Sequence, residues 1–200
     1  MGRLLNHTSM TVDGLCDVGD WFVAAGDHDT AGVEALGASA AFVTGRKCYE
    51  GFLGYWPSAT GPWAEVINPM PKYVASRTLT GDLDWNAQLI EGDAVDGLRR
   101  LKEQIDGDLF LSGCGELACG LLEGGVLDEV NLWVHPALGG AGTRPFEGTT
   151  LRLTLVDVTG YDSGVVRQRY RPAGKVQRRP RHWPGTGEGT ATRPALRSAS

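Results

Sequence analysis

At 200 residues, against a typical ~150 per domain, the chain holds one full domain with an appendage. Its composition, 42% apolar and 22% charged, is that of a globular protein; global disorder and a transmembrane bundle are excluded, and no apolar run approaches the ~20 residues of a membrane span. The start, Met1-Gly2-Arg3-Leu4-Leu5-Asn6-His7, carries one positive charge and passes at once into Thr8-Ser9. No secretory signal is expected, and the cytoplasm is the expected compartment.

The net charge of −5 is unevenly divided: residues 171–200 carry seven basic side chains against one acid, Glu188, and the preceding 170 residues sum to −11. The basic segment also holds Pro172, Pro180, Pro184 and Pro194 with no apolar periodicity. It is expected to be a disordered tail from 173 onward, leaving a folded domain over 1–172. Such a tail suits either a solvated extension or an arm for an anionic partner; the acidic body argues against nucleic-acid binding by the domain itself. Cys16, Cys48, Cys114 and Cys119 form no CxxC pair, and His7, His28, His135 and His182 lack metal-ligand spacing. Reduced thiols and no metal are expected.

In chain order, short apolar runs predict strands at 4–9, 40–44, 72–76, 109–112, 130–135, 151–158 and 165–170, seven or eight in all. Val95, Leu98, Leu101 and Ile105 recur at helical spacing over 93–106, and a second helix is predicted over 116–122, ended by Gly124-Gly125. Alternating strands and helices define an α/β class. Gly160-Tyr161-Asp162-Ser163-Gly164 is too short to hold a helix, so the last two strands form an antiparallel hairpin on a mixed sheet.

Four segments are candidates to carry chemistry. Ser112-Gly113-Cys114-Gly115-Glu116-Leu117 runs from a strand through glycines into a helix, which suits phosphate at free helix N–H groups. It equally suits plain strand-to-helix punctuation, and the acid a dinucleotide fingerprint needs at the end of the next strand is missing, since that strand ends at His135-Pro136. Thr44-Gly45-Arg46-Lys47 puts two cations against a helix dipole that disfavours them, a cost that a bound anion reverses and that solvent also tolerates. Ser76-Arg77-Thr78 ends a strand with a hydroxyl and a guanidinium, suited to a phosphate monoester or to a surface ion pair. Asp13, in Thr11-Val12-Asp13-Gly14, is either an Asx-turn residue or a participant in chemistry. Trp21, Phe22, Tyr49, Phe52, Tyr55, Trp56 and Trp63 serve as core or as walls for a flat ring; Trp56-Pro57 and Gly61-Pro62-Trp63 are read as loop.

Taken in order, these segments, with Tyr55-Trp56-Pro57, Asn68-Pro69-Met70-Pro71-Lys72-Tyr73-Val74-Ala75, Gly125-Val126-Leu127-Asp128-Glu129 and Pro136-Ala137-Leu138-Gly139-Gly140-Ala141-Gly142-Thr143-Arg144-Pro145-Phe146, resemble the dihydrofolate reductase-like family. The nearer branch is the one related to the C-terminal reductase domain of bacterial riboflavin biosynthesis, over about residues 3–171. The resemblance implies a three-layer fold, a mostly parallel sheet with helices on both faces and a C-terminal hairpin. It also implies NADPH, with the pyrophosphate near Gly45, Arg46 and Gly113-Cys114-Gly115-Glu116-Leu117 and the adenosine phosphate near Ser76, Arg77 and Thr78. Thr11, Thr44 and Lys47 border the same cofactor. The implied reaction is hydride transfer to a C=N or C=O bond of a small heterocycle, with Asp13 and Asp29 as candidate acids and Trp21, Tyr49, Phe52 and Trp56 as candidate substrate contacts.

Lys47 and Cys48 stand where the branch commonly has Val/Arg-Thr, which removes a helix-start hydroxyl. Other readings of the same sequence are a flavin or deazaflavin hydride donor and a non-catalytic binding module. A homodimer is expected from the resemblance and from the apolar C-terminal strands.

Overall fold

The computed structural model describes residues 2–175. Eight strands form one sheet: β1 (Leu4–Thr11), β2 (Ala41–Gly45), β3 (Lys72–Ala75), β4 (Ala87–Leu89), β5 (Leu109–Ser112), β6 (Glu129–His135), β7 (Leu151–Gly160) and β8 (Val166–Lys175). The order is β4-β3-β2-β5-β1-β6-β8-β7. The first six strands pair in parallel, and β8 and β7 close the far side as the antiparallel hairpin the short connection demanded. β8 continues through Lys175, three residues into the segment assigned to the tail on composition. The rest of that segment, 176–200, lies outside the described residues.

Five helices connect the parallel strands: α1 (Asp27–Gly37), α2 (Arg46–Leu53), α3 (Pro62–Ile67), α4 (Ala94–Gln104) and α5 (Glu116–Glu123). Leu4, Val43, Leu109, Leu111 and Val130 face α4 and α5, which contribute Leu98, Ala118 and Leu121 to the larger core. On the other face Phe42 and Phe110 pack with Leu36 of α1 and Ile67 of α3, while Tyr49 of α2 packs on Val74. The sheet is thus covered on both sides, as parallel strands require. Central strands read accordingly: β2 is buried along Ala41-Phe42-Val43-Thr44. No helix among the described residues is long and apolar enough to cross a membrane.

Local chemistry fixes the helix ends. Asp93 caps α4, its carboxylate accepting the N–H groups of Val95 at 2.9 Å and Asp96 at 3.2 Å. The aromatic stretch read as loop is largely ordered: Trp56–Ser58 forms a 3-10 turn, and Pro62 opens α3 at its first position. Trp63 lies across Gly32 of α1, where a Cβ would come within 2.7 Å of the indole, and its N–H donates to Asp29 at 2.7 Å.

Candidate active site

Because the strands are parallel, the turns after β3, β2, β5, β1 and β6 emerge side by side along one edge. The three segments with phosphate-type chemistry follow β3, β2 and β5, which are consecutive neighbours. Both helices that begin there lack a side-chain cap: α2 starts behind Gly45 with no acid in its first turn, and α5 starts behind Gly115. Two sets of unpaired helix N–H groups therefore open onto the same stretch of edge. Gly113 adopts φ 107°, open to glycine, and a Cβ there would sit 3.3 Å from the Cys48 sulfur. Above this cradle Arg77 reaches Glu116 across 3.5 Å, both side chains more than nine-tenths exposed. Such a pair contributes little stability, so its guanidinium is readily exchanged to a ligand. Ser76 spends its hydroxyl on the turn, accepting the N–H groups of Thr78 and Leu79. Arg46 pairs with Glu50 one turn along α2 at 3.1 Å, and Lys47 is exposed beside it.

A buried polar network sets the cradle's shape. Asn6, with no exposure, donates from its amide to the Gly113 carbonyl at 2.8 Å and to the Leu111 carbonyl at 3.4 Å. Thr8 in turn donates to the Asn6 side-chain oxygen at 2.9 Å, and Asn131 donates to the Asn6 backbone carbonyl at 3.1 Å. With its polar atoms satisfied, Asn6 carries no desolvation penalty for an unmade bond. Thr44 and Thr11 are also fully buried. The Thr44 hydroxyl faces the Ser112 carbonyl at 3.3 Å, and that of Thr11 donates to Asp13 and accepts the Leu15 N–H at 3.0 Å. Both hydroxyls, expected beside the cofactor, are engaged within the protein.

Asp13 ties two loops together. Its carboxylate accepts the N–H groups of Gly139 at 2.9 Å and Gly140 at 2.8 Å as well as the Thr11 hydroxyl. The hydroxyl and these backbone donors push its carboxyl down to about 2. Asp17 repeats the device on the Thr143 N–H. The loop after β1 is thereby fastened to the loop after β6.

The aromatic half of the edge lies beside β1 and β6. Trp21 and Phe22 pack on His135, ring centroids 5.1 and 5.2 Å away. His28, at the start of α1, meets His135 at 5.4 Å. Both imidazoles are buried, and burial with the neighbouring His28 holds His135 down at about 4, neutral near pH 7. His28 donates from Nε2 to the Val23 carbonyl, 2.9 Å away, and its Nδ1 is buried without a partner. Tyr161, from the hairpin turn, stacks on Trp133 at 5.7 Å. The histidine pair was not apparent in the sequence, where the two residues are far apart and lack ligand spacing. A strand-ending histidine and a helix-start histidine become neighbours only when β6 and α1 are in place.

The other candidate contacts divide. Phe52 and Trp56 pack against the smaller core around Phe42 and Ile67. Tyr49 is a core residue, 3% exposed, with its hydroxyl donating to the Asp84 carbonyl at 3.1 Å, and so stands apart from the aromatic edge. Asp29 is occupied by the Trp63 indole. Among the described residues, no cluster of His, Cys, Asp and Glu has the arrangement of a metal site.

The fold is that of a dihydrofolate reductase-like α/β domain. Residues 4–167 match the RibD C-terminal domain family, to which the chain belongs. The uncharacterised protein YyaP of Bacillus subtilis (strain 168) is 27% identical over 179 residues, covering 84% of this chain and 94% of that protein. A protein provisionally assigned to riboflavin biosynthesis from Shewanella sp. PV-4 superposes with a TM-score of 0.68 at 19% identity, over 85% of this chain and 98% of that one. The Thermotoga maritima diaminohydroxyphosphoribosylaminopyrimidine deaminase/5-amino-6-(5-phosphoribosylamino)uracil reductase gives a TM-score of 0.63 at 18% identity, over 86% of this chain and 56% of that longer one.

The Asp13 fastening has a defined pH behaviour. A carboxyl depressed on folding contributes stability that is present above its unfolded value, ~3.9, and is lost only as pH falls through the folded value, here about 2. Amide exchange at Gly139 and Gly140, corrected for intrinsic rates, is expected to be flat between about pH 7 and about pH 4. In Asp13→Asn, where one carboxylate oxygen is lost as an acceptor, exchange at both glycines is expected to be faster across that range. Loosening of the wild-type loop already at about pH 5 would contradict this role.

Proposed function

We propose that the chain is an NADPH-dependent reductase acting on a small flat heterocycle. The observation that carries the reading is the pair of uncapped helix starts, behind Gly45 and Gly115, on neighbouring strands. With the glycine cradle at Gly113, they supply backbone donors for a pyrophosphate. Arg77 stands over the same gap and would take the 2′-phosphate, giving up its exposed contact with Glu116. Gly45, Cys114, Leu117, Arg46, Lys47 and Thr78 border the cofactor, while Thr11 and Thr44 shape its bed from beneath.

When bound, a nicotinamide supplies the hydride for a C=N or C=O bond. The chain's own residues position and enclose that exchange. Trp21 and Phe22, set edge to face and packed on the neutral His135, with Tyr161 beside His28, offer ring faces against which a heterocycle would pack. Asp13 keeps the loops after β1 and β6 together and stays ionised, so it acts as a positioning residue. Asp29 holds Trp63 in place, and the proton that balances the hydride is drawn from solvent.

Membership in the RibD C-terminal domain family supports reductase chemistry of this kind. The T. maritima protein's name includes a 5-amino-6-(5-phosphoribosylamino)uracil reductase activity, which favours a substrate that carries a pyrimidine-like ring. The outer strand supports a further element of the reading: among the described residues β7 is the last strand of the sheet, paired on one side only, and its Leu153, Leu155, Val156 and Val158 are 38–53% exposed. Two copies joined there in a symmetric dimer would cover an edge that otherwise invites aggregation.

Binding titrations test the cofactor assignment. Arg77→Ala is expected to weaken NADPH about ten- to a hundredfold, the scale of one charge-assisted hydrogen bond, and to leave NADH nearly unchanged. Equal losses would remove Arg77 from the 2′-phosphate, and failure of the unmodified protein to bind either nucleotide would overturn the reading. For assembly, light scattering at micromolar concentration is expected to give the mass of two chains. The mass of one chain would discard the β7 pairing.

A further inference from the structure

Three of the four cysteines converge where the loop after β1 meets the turn after β5. The Cys114 sulfur lies 3.2 Å from that of Cys16, across 98 residues of sequence, and both side chains are partly exposed. A disulfide requires ~2.05 Å, so the sulfurs need approach by little more than a further ångström. Each residue stands on a turn or loop, where such a shift is absorbed without repacking a strand. One loop holds both: the Cys16 N–H donates to the Thr143 carbonyl at 2.9 Å, and the Phe146 N–H donates to the Cys114 carbonyl at 2.8 Å. The Cys48 sulfur is nearby, 3.3 Å from where a Cβ on Gly113 would stand. Cys119 points away, toward the Glu147 carbonyl at 3.9 Å.

We propose that Cys16 and Cys114 are a reversible disulfide site, oxidised by hydroperoxides, whose closure withdraws the Gly113-Cys114-Gly115 cradle from its ligand. The chemistry balances in two steps. The Cys16 sulfur attacks one peroxide oxygen and the O–O bond breaks, giving a sulfenic acid and, from hydrogen peroxide, one water. The Cys114 sulfur then attacks the Cys16 sulfur, the S–O bond breaks, and the departing hydroxide takes the Cys114 proton as a second water. Two thiols lose two electrons in total and the peroxide gains them. A dithiol reverses the bond by exchange and is itself oxidised to a disulfide. Burial and the adjacent Cys16 push the Cys114 thiol up to about 12, which assigns the first attack to Cys16 and the second to Cys114.

The consequence for ligand binding rests on the nucleotide reading above. Cys114 is the middle residue of the turn, and drawing its sulfur toward the β1 loop rotates the peptide groups on either side. The N–H groups that would face a pyrophosphate then lose their common direction.

The full chain, treated with hydrogen peroxide and blocked with a thiol alkylator, tests the site without any nucleotide. Free thiols are expected to fall from the four of the sequence to two, with the loss of two hydrogen masses. Non-reducing peptide mapping is expected to join Cys16 to Cys114, and dithiothreitol to restore all thiols. Cys16→Ser and Cys114→Ser should each abolish the cross-link, while Cys48→Ser and Cys119→Ser should retain it. Unlinked Cys16 and Cys114, irreversible oxidation of either without a cross-link, or a bond that uses Cys48 would overturn the proposal. NADPH titration then separates the two readings. Binding by the reduced protein that weakens tenfold or more on oxidation supports the withdrawal of the cradle. Equal binding in both states overturns that withdrawal, whereas absence of binding by the reduced protein counts against the reductase reading and leaves the cross-link result standing.

Discussion

The amide of Asn6 is the contact on which the edge depends. It sits in the middle of the sheet with no exposure and grips the carbonyl of Gly113, turning that peptide inward so that the following N–H groups face outward. A buried amide is tolerated only when its partners are all present, and Thr8 completes the set. Leucine in its place would leave the Gly113 carbonyl without its donor and free the turn to rotate. One polar side chain on β1 thus fixes a backbone conformation on β5, and through it the start of α5.

From that fixed point the edge divides by chemistry. Toward β3 it is made of backbone N–H groups, glycine and arginine, an electropositive stretch on a domain that is otherwise acidic. Toward β6 and the hairpin it is made of rings, and both buried histidines there touch aromatic neighbours. The loops that meet between the two halves are bound by Asp13 and Asp17 to backbone N–H groups of the glycine-rich segment after β6. An anionic, ring-bearing dinucleotide laid along the edge would have its phosphates over the first half and its reactive ring beside the second.

The parts legible in the sequence were those set by local rules. Apolar runs located the strands, and for β5 the predicted 109–112 matches the observed bounds; glycines located the turns, and the ordered motifs located the family. The parts that were not legible arise from distant contacts. β4 has three residues and follows Trp85 and Asn86, both at positive φ, a local sequence that reads as a turn. In α1 the position facing the Trp63 ring must be glycine, Gly32, so its apolar stripe is faint. Trp63 itself looked like a loop aromatic because its partners, Asp29 and Gly32, belong to another helix. Nothing local marks Asn6, since its role depends on the parallel pairing of β1 with β5. Arg77 and the glycine turns, by contrast, stood out locally, Arg77 as either a phosphate contact or a surface ion pair, and the sheet order makes these segments neighbours.

The central claim is that a dinucleotide lies across the turns after β3, β2 and β5. Amide hydrogen exchange of the reduced protein with and without saturating NADPH tests this most directly, because each turn reports separately. The account predicts protection together at 45–48, 76–79 and 113–117, with little change in the groove between β4 and α4 around Gln88, Glu91 and Arg100. Protection confined to that groove, or absent from the starts of both α2 and α5, would contradict it.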